Sequence, residues 1–444
     1  MSAIARHFNA IGKRVAGYDR TPTELTNEIM SEGIDITFED DIKTIPQTFK
    51  DKSKTIVVIT PAIPTDNAIR RFFEDGDFVV TKRAEMLGKL TSMSSAICIA
   101  GTHGKTTTST MVAHVMRSSS IGCSAFLGGV SANYNTNYWS DTTSSFVVTE
   151  ADEYDRSFLH LHPYLSLITA MDADHLDIYG THKEVKKAFH QFASQTEIGG
   201  AVVYKHELEF DEEKVDEDCE IFTYSLKNKE ADFYAFDIKL QGAHSFFSMQ
   251  TPFGVIKGVE LGIPGYHNVE NAVAASALSL IAGVTADELK QALKEFKGNR
   301  RRFQYRIDEP DFCLIDDYAH HPEEIRSMLV SLRQMYKERK ITVVFQPHLY
   351  TRTRDFADEF AEVLSLADRV LLLDIYPARE LPIEGVTSEM LLSKICKANA
   401  SLTSNKKLFE DIMKCPLDVL VMMGAGNIDA MVGQIEKEIR NVKS

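Results

Sequence analysis

Short apolar runs alternate with segments of helical spacing along almost the whole chain, and most of the runs end on a glycine or a polar residue. In the middle of the chain these runs are Ala96-Ile-Cys-Ile-Ala100, Ser145-Phe-Val-Val-Thr149 and Leu165-Ser-Leu-Ile-Thr-Ala-Met171. Towards the C-terminus they are Phe312-Cys-Leu-Ile315, Ile341-Thr-Val-Val-Phe345, Arg369-Val-Leu-Leu-Leu373 and Asp418-Val-Leu-Val-Met422. Strand-length apolar runs that alternate with helices predict an α/β protein whose sheets are mainly parallel. The stretch 207–253 is acidic, aromatic and alternating, and reads as a small antiparallel excursion.

Length and punctuation divide the chain into three. At 444 residues it exceeds one ordinary core, and about three domains is the expectation. Residues 1–93 read as a Rossmann-like domain, 94–299 as a central P-loop ATPase-like α/β domain, and 300–444 as a doubly wound Rossmann-like domain. In the first block, Arg14-Val-Ala-Gly-Tyr18 ends at Asp19 and Lys54-Thr-Ile-Val-Val-Ile-Thr60 ends at Pro61. A strand that closes on an acid can present a carboxylate to a ribose hydroxyl. The opening Met1-Ser-Ala-Ile-Ala-Arg-His-Phe8 looks like the helix that normally follows a first strand and a Gly-rich turn, neither of which precedes it. The expectation is a nucleotide-binding half-fold without its phosphate-binding turn, or a start internal to the protein. Gly424-Ala-Gly-Asn427 reads as a tight turn closing the last domain.

Composition narrows the class. Hydrophobic residues make up 44% and charged residues 25%, as in soluble globular proteins. The longest apolar runs are strand-length, and no secretory signal is visible. The six cysteines are scattered, and Cys98, Cys123 and Cys313 lie in apolar segments, as reduced core residues of a cytoplasmic protein would. A net charge of −15 without a basic stripe argues against nucleic acid as a partner.

Gly101-Thr-His-Gly-Lys-Thr-Thr-Thr108 follows an apolar run and opens a segment, 106–116, that reads as helix. A strand, a glycine loop and a helix in that order present backbone N–H groups and a helix N-terminus to phosphate oxygens. Lys105 would reach the outer phosphates, and the Thr106 hydroxyl would bind Mg²⁺. The ordinary P-loop needs a glycine where Ile99 stands, so this loop is a shortened one. Strand-end Glu150 is a natural second oxygen ligand for Mg²⁺, and His175, after the third central strand, is a candidate for a second metal.

A shortened loop of this kind resembles the ATP site of the Mur ligase superfamily. Further motifs resemble its alanine-adding branch: Thr149-Glu-Ala-Asp-Glu-Tyr-Asp-Arg-Ser-Phe-Leu-His-Leu161, Asp172-Ala-Asp-His-Leu-Asp-Ile-Tyr-Gly180 and Gly265-Tyr-His-Asn-Val-Glu-Asn-Ala272. So do Asn299-Arg-Arg-Arg-Phe303, Asp316-Asp-Tyr-Ala-His-His-Pro322 and Gln346-Pro-His-Leu-Tyr-Thr-Arg-Thr-Arg354. Together these motifs cover essentially the whole chain in family order.

The resemblance implies an ATP-dependent ligase of peptidoglycan synthesis that joins L-alanine to the lactyl carboxylate of UDP-N-acetylmuramate. An acyl phosphate would form first, with ATP as co-substrate and two Mg²⁺ ions. ATP would be held by Gly101, Thr102, His103, Gly104, Lys105, Thr106 and Thr107, by Asn268 and Asn271 around the adenine, and by Arg302, Asp317 and Tyr318. Arg302, at the junction of the second and third blocks, would reach the γ-phosphate when the domains close. Lys105, Glu150, His175, Arg302 and His348 would form the catalytic set, with Thr106, Glu150 and His175 at the metals. Asp19, Gly129, Asn133, Ser157, His348, Tyr350 and Arg352 would bind the sugar nucleotide and the amino acid, although Gly128-Gly129 reads equally as a plain turn.

Two positions depart from the family pattern. Leu349 stands where many members have arginine, and His190 is the nearest equivalent of the carbamate-forming lysine of sister ligases. The expected setting is cytoplasmic, with no nucleic acid or membrane partner, as a monomer or weak homodimer. Two alternatives stay open: a sister branch adding another amino acid, and a non-catalytic nucleotide-binding relative disabled by its N-terminus.

Overall fold

The computed structural model describes all residues except Pro61, Asp174, His175, Arg379, Lys397, Pro416 and Ser444. The chain forms two compact units, one of Met1–Asp237, Phe247–Glu260 and Glu270–Phe296, the other of Ile238–Phe246, Leu261–Val269 and Lys297–Ser444. No helix among the described residues is long and apolar enough to cross a membrane.

The first unit begins with helix Ser2–Ala10 and continues as short strands and helices. Between residues 16 and 82 its strands pair in two parallel ribbons, Ala16–Tyr18 with Asp35–Thr37 and Ile56–Ile59 with Val79–Lys82. Helix Glu24–Ser31 starts at Thr23, whose hydroxyl accepts the Thr26 N–H while Thr26 returns a bond to the Thr23 backbone. Ala3, Ile4, Met86 and Leu87 pack in one cluster with Cys98, Phe126, Phe158, Phe189 and Phe192 of the central segment. The rings of Phe158 and Phe192 stack at 5.2 Å.

The ten-stranded central sheet runs, in spatial order, Gly254–Leu261, His244–Thr251, Phe233–Gln241, Glu220–Ser225, Ala201–Lys205, Pro163–Ile168, Ser95–Ala100, Phe146–Glu150, Ser124–Ser131 and Thr136–Trp139. Ser95–Ala100 lies between two parallel neighbours, and Ala96 through Ala100 are fully buried. That burial is why the run is continuously apolar instead of alternating. The expected antiparallel excursion is only partly so: Glu220–Ser225 pairs parallel with Ala201–Lys205, from Ala201 opposite Glu220 to Lys205 opposite Tyr224. The acidic segment after Lys205 carries the chain back to the starting end of the sheet.

The sheet of the second unit runs Gln304–Asp308, Cys313–Asp317, Val419–Met423, Ile341–Phe345, Arg369–Leu372 and Asn399–Leu402. All its pairings are parallel except that of the first strand. Alternate residues feed two cores. Val343, Phe345, Val421 and Met423 face one layer of helices, while Val344, Leu371, Leu420 and Met422 face the other. This is the doubly wound architecture expected from the sequence. The two edge strands, Gln304–Asp308 and Asn399–Leu402, were not among the predicted runs.

Helix Arg83–Thr91 docks on the segment Tyr154–His160 through Gly88, where an added Cβ would lie 2.2 Å from the His160 carbonyl oxygen. Alanine would gain about 1 kcal/mol of helix propensity but overpack against backbone, at about 1–3 kcal/mol. Gly88→Ala is therefore expected to lower the denaturant midpoint of unfolding; a raised midpoint would show that this contact is not rigid.

Candidate active site

The buried strand Ser95–Ala100 delivers the chain into a loop that only glycine can make. Gly101 has φ +137°, and a Cβ there would fall 2.0 Å from the Thr169 hydroxyl. Gly104, at φ +81°, caps the helix Lys105–Ser118 in the left-handed region, and a Cβ there would lie 3.0 Å from the Asn271 side-chain oxygen. Thr169 holds the far side of the loop, its hydroxyl donating to the His103 carbonyl and, at 3.2 Å, to that of Ala100. Thr102 N–H donates to the Ala170 carbonyl at 3.1 Å. The first helical turn thus begins at the carboxyl edge of the sheet, where anions bind.

Parallel register brings the acids to the same edge. Glu150 is paired with Ile99, and Ala151 N–H donates to the Ile99 carbonyl at 2.8 Å. Its carboxylate lies against Gly128, where a Cβ would come within 2.3 Å of Oε2. Lys105 Nζ donates to the Gly101 carbonyl at 2.6 Å and to Glu153 at 2.8 Å. Burial works against the Lys105 charge, but Glu153, Glu150 and Asp152 together raise its pKa above the ordinary lysine value. On the other side of the loop, Asp172 accepts from the Thr102 hydroxyl at 3.3 Å, and its carboxylate lies 3.5 Å from His103 Nε2. Among the described residues, no three His, Cys, Asp or Glu side chains group to hold a metal. His175 lies outside the described residues.

A cavity of about 240 Å³ opens beside Glu150, lined by Ser2, Arg83, Phe126, Gly128, Asn137 and Asp152 among others. Asn137 is fixed from two sides: buried Arg6 donates to its oxygen at 2.7 Å, and its amide donates to Ser2 Oγ at 2.8 Å. Asn133, the expected substrate residue, is placed elsewhere, its amide donating to the Glu295 carbonyl at 2.7 Å. Gly129 sits in the strand next to Gly128, and Ser157 in the turn after Glu153. Asp19 is exposed and accepts from Thr21 N–H at 3.2 Å. His190 is a structural residue: its Nε2 accepts from Asp211 N–H at 3.0 Å, and its ring stacks on Phe210.

In the second unit, Arg301 and Phe303 take left-handed backbone conformations, with φ of 60° and 46°. The strand end fixes that turn. The buried Asp317 carboxylate accepts the N–H groups of Phe303 at 2.6 Å and Ala319 at 2.7 Å, and Tyr318 N–H donates to Arg301 at 2.7 Å. Asp317, expected at the nucleotide, therefore anchors the chain that carries Arg302. The Arg301 and Arg302 guanidinium groups each lie 5.1 Å from the Tyr318 ring, and Arg302 also reaches Glu324 at 3.4 Å. Burial, with the Arg302 charge, pushes His267 down to about 4, so it is neutral near pH 7. Asn268 is buried and donates to the Pro264 carbonyl at 2.6 Å.

Strand Ile341–Phe345 ends at Gln346, which the turn after Val419–Met423 encloses: Gln346 donates to Asn427 at 2.8 Å and accepts from Ile428 N–H at 3.0 Å. A Cβ on Gly426 would lie 2.4 Å from the Gln346 oxygen, so this glycine turn is a packing device. His348 stacks on Tyr376 at 5.7 Å, and its buried Nδ1 has no hydrogen-bond partner among the described residues. Leu349 has φ +71°, and its N–H donates to the Tyr376 carbonyl at 2.9 Å. Tyr350 begins the short helix that carries Arg352. Burial, His320 and Arg352 push His348 down to about 4 against the opposing Glu380. A neutral imidazole with a vacant ring nitrogen beside a guanidinium is a setting for a carboxylate bearing an amine.

Three family models match in sequence: the Mur ligase family catalytic domain over residues 1–94, the Mur ligase middle domain over 99–279, and the Mur ligase glutamate ligase domain over 301–426. A UDP-N-acetylmuramate–L-alanine ligase of Porphyromonas gingivalis is 45% identical over 443 residues, covering 100% of this chain and 97% of that protein. A ligase of the same name from Flavobacterium johnsoniae is 43% identical, covering 98% and 95%. Among solved structures, the UDP-N-acetylmuramate–alanine ligase of Thermotoga maritima superposes with a TM-score of 0.84 at 26% identity, covering 100% of this chain and 97% of that one. The MurF ligase of Thermotoga maritima, solved in complex with ADP, shares the fold with a TM-score of 0.66 at 14% identity, covering 88% and 97%. From end to end, this chain belongs to the Mur ligase family.

Proposed function

We propose that the protein is an ATP-dependent ligase that joins L-alanine to the lactyl carboxylate of UDP-N-acetylmuramate, as its relatives of that name do. The observation that carries this reading is full-length identity of 45% to such a ligase, combined with a glycine loop whose lysine and strand-end acids stand together. A carboxylate oxygen attacks the γ-phosphorus of ATP, ADP leaves, and an acyl phosphate forms. The alanine amine then attacks the acyl carbon, and phosphate leaves with the original carboxylate oxygen. No side-chain nucleophile takes part.

Two anions must meet in the first step, so cationic groups dominate the chemistry. Lys105 and the helix N-terminus at Thr106 and Thr107 hold the phosphates, and Arg302 adds a second cation. Asn271 beside Gly104, and Asn268, belong to the adenine side. Thr106 and Glu150 are oxygen donors suited to Mg²⁺, and Gly128 leaves the Glu150 carboxylate room that a side chain would fill. When bound, the ion supplies positive charge to the phosphates. The proposed second ion, with His175, falls outside the described residues. The cavity beside Glu150, with Asn137 and Arg83, is the place for the sugar nucleotide. His348 and Arg352 receive alanine, Arg352 pairing with its carboxylate. The free, mostly buried cysteines suit a cytoplasmic setting.

Lys105→Met is expected to lower kcat/KM by about 10²–10³-fold in a phosphate-release assay, the loss typical of removing one electrostatic group. Wild-type turnover would contradict the assignment of Lys105. Arg352→Lys keeps the charge but loses the fork, and the KM for L-alanine should rise about tenfold or more while that for ATP stays put. A matching rise in both would remove Arg352 from the amino-acid site. With ¹⁸O in the lactyl carboxylate, one labelled oxygen should appear in each released phosphate; unlabelled phosphate would exclude the acyl phosphate.

A further inference from the structure

We infer that Glu153 is a positioning residue of the nucleotide site, acting through Lys105: it fixes the lysine ammonium so that its remaining N–H points to phosphate. This rests on the reading of Lys105 as the phosphate-binding lysine. Glu153 is one acid in a run with Glu150, Asp152 and Asp155, yet it is 1% exposed, whereas Asp152 and Asp155 are half-buried. Both of its carboxylate oxygens lie 2.8 Å from Lys105 Nζ, and the Gly101 carbonyl lies 2.6 Å from the same nitrogen. An ammonium has three N–H donors. One is spent on the loop carbonyl and one on the carboxylate, which leaves a single direction for an incoming oxygen.

The acid is itself held from behind. Its backbone carbonyl accepts from the Tyr179 hydroxyl at 2.6 Å and from Arg156 N–H at 3.0 Å. Asp155 and Arg156 take left-handed conformations, with φ of 53° and 56°, and the Arg156 guanidinium lies 5.1 Å from the Tyr179 ring. Two successive non-glycine residues in that region are costly, and such strain persists only where the surroundings impose it. A lysine on a flexible four-carbon stem is imprecise unless a fixed partner holds it. A buried carboxylate abandoned by its lysine would be expensive, so the pair stays together when phosphate arrives.

The test is a double-mutant cycle on ATP affinity, measured by calorimetric titration with Mg²⁺ on wild type, Glu153→Gln, Lys105→Met and the double variant, with thermal melts alongside. Glu153→Gln should weaken ATP binding about tenfold, and the double variant should bind no worse than Lys105→Met alone. In turnover, Glu153→Gln should raise the KM for ATP and leave those for UDP-N-acetylmuramate and L-alanine within twofold. Losses that multiply in the double variant, or KM values that all rise together, would overturn the inference while leaving the role of Lys105 intact. Lys105→Met binding ATP as wild type does would overturn both. Should Glu153→Gln fail to fold, Lys105→Met/Glu153→Met removes charge and counter-charge together, and must match Lys105→Met in ATP affinity.

Discussion

A parallel sheet buried on both faces has little room for charged side chains along its strands, so such groups collect where the strands end. This constraint shapes both units. In the first, Ala96–Ala100 is wholly apolar and buried, and polar groups gather within a few residues of the point where it and its two neighbours stop: Gly101 to Thr107, Glu150 to Glu153, and Asp172. In the second, the strands ending at Asp317, Phe345 and Met423 deliver Asp317 and Tyr318, Gln346 and His348, and the Gly424 turn.

Charge at such an edge is partly withdrawn from water and needs internal partners. Lys105 has Glu153 and a loop carbonyl; Arg301 has the Gly424 carbonyl at 2.7 Å and Asp429 at 3.3 Å; Arg302 has Glu324 and the Tyr318 ring. These contacts fix cations in advance of substrate, which is how a site stabilises charge that develops only during reaction. The imidazoles respond in the opposite sense: burial and neighbouring cations keep His267 and His348 neutral. The first unit thus holds a fixed cation at its strand end, and the second holds fixed guanidinium groups and neutral imidazoles.

The glycine loop was legible in the sequence because its chemistry is local: strand, turn, lysine and helix follow one another without a break. The parallel architecture was legible for a similar reason, since continuous apolar runs have few other uses. What escaped depends on groups far apart along the chain. Asn137 lines the cavity beside Tyr138, which pairs with Phe126, whereas Asn133 lies in the connection between the two strands. Glu153 is indistinguishable in sequence from its acidic neighbours, and only burial against Lys105 separates it. Asp317 reads as a free strand-end acid until its bond to Phe303 N–H is seen. The strands Gln304–Asp308 and Asn399–Leu402 lie at sheet edges, where half-exposed residues blur the pattern.

In this ligase ATP cleavage is coupled to a sugar-nucleotide carboxylate and an amino acid. Phosphate release from ATP, measured with and without UDP-N-acetylmuramate and each of L-alanine, D-glutamate and a tripeptide, addresses it most directly. Release is expected only when UDP-N-acetylmuramate and L-alanine are both present. Release that ignores the sugar nucleotide, or that prefers another amino acid, would contradict it.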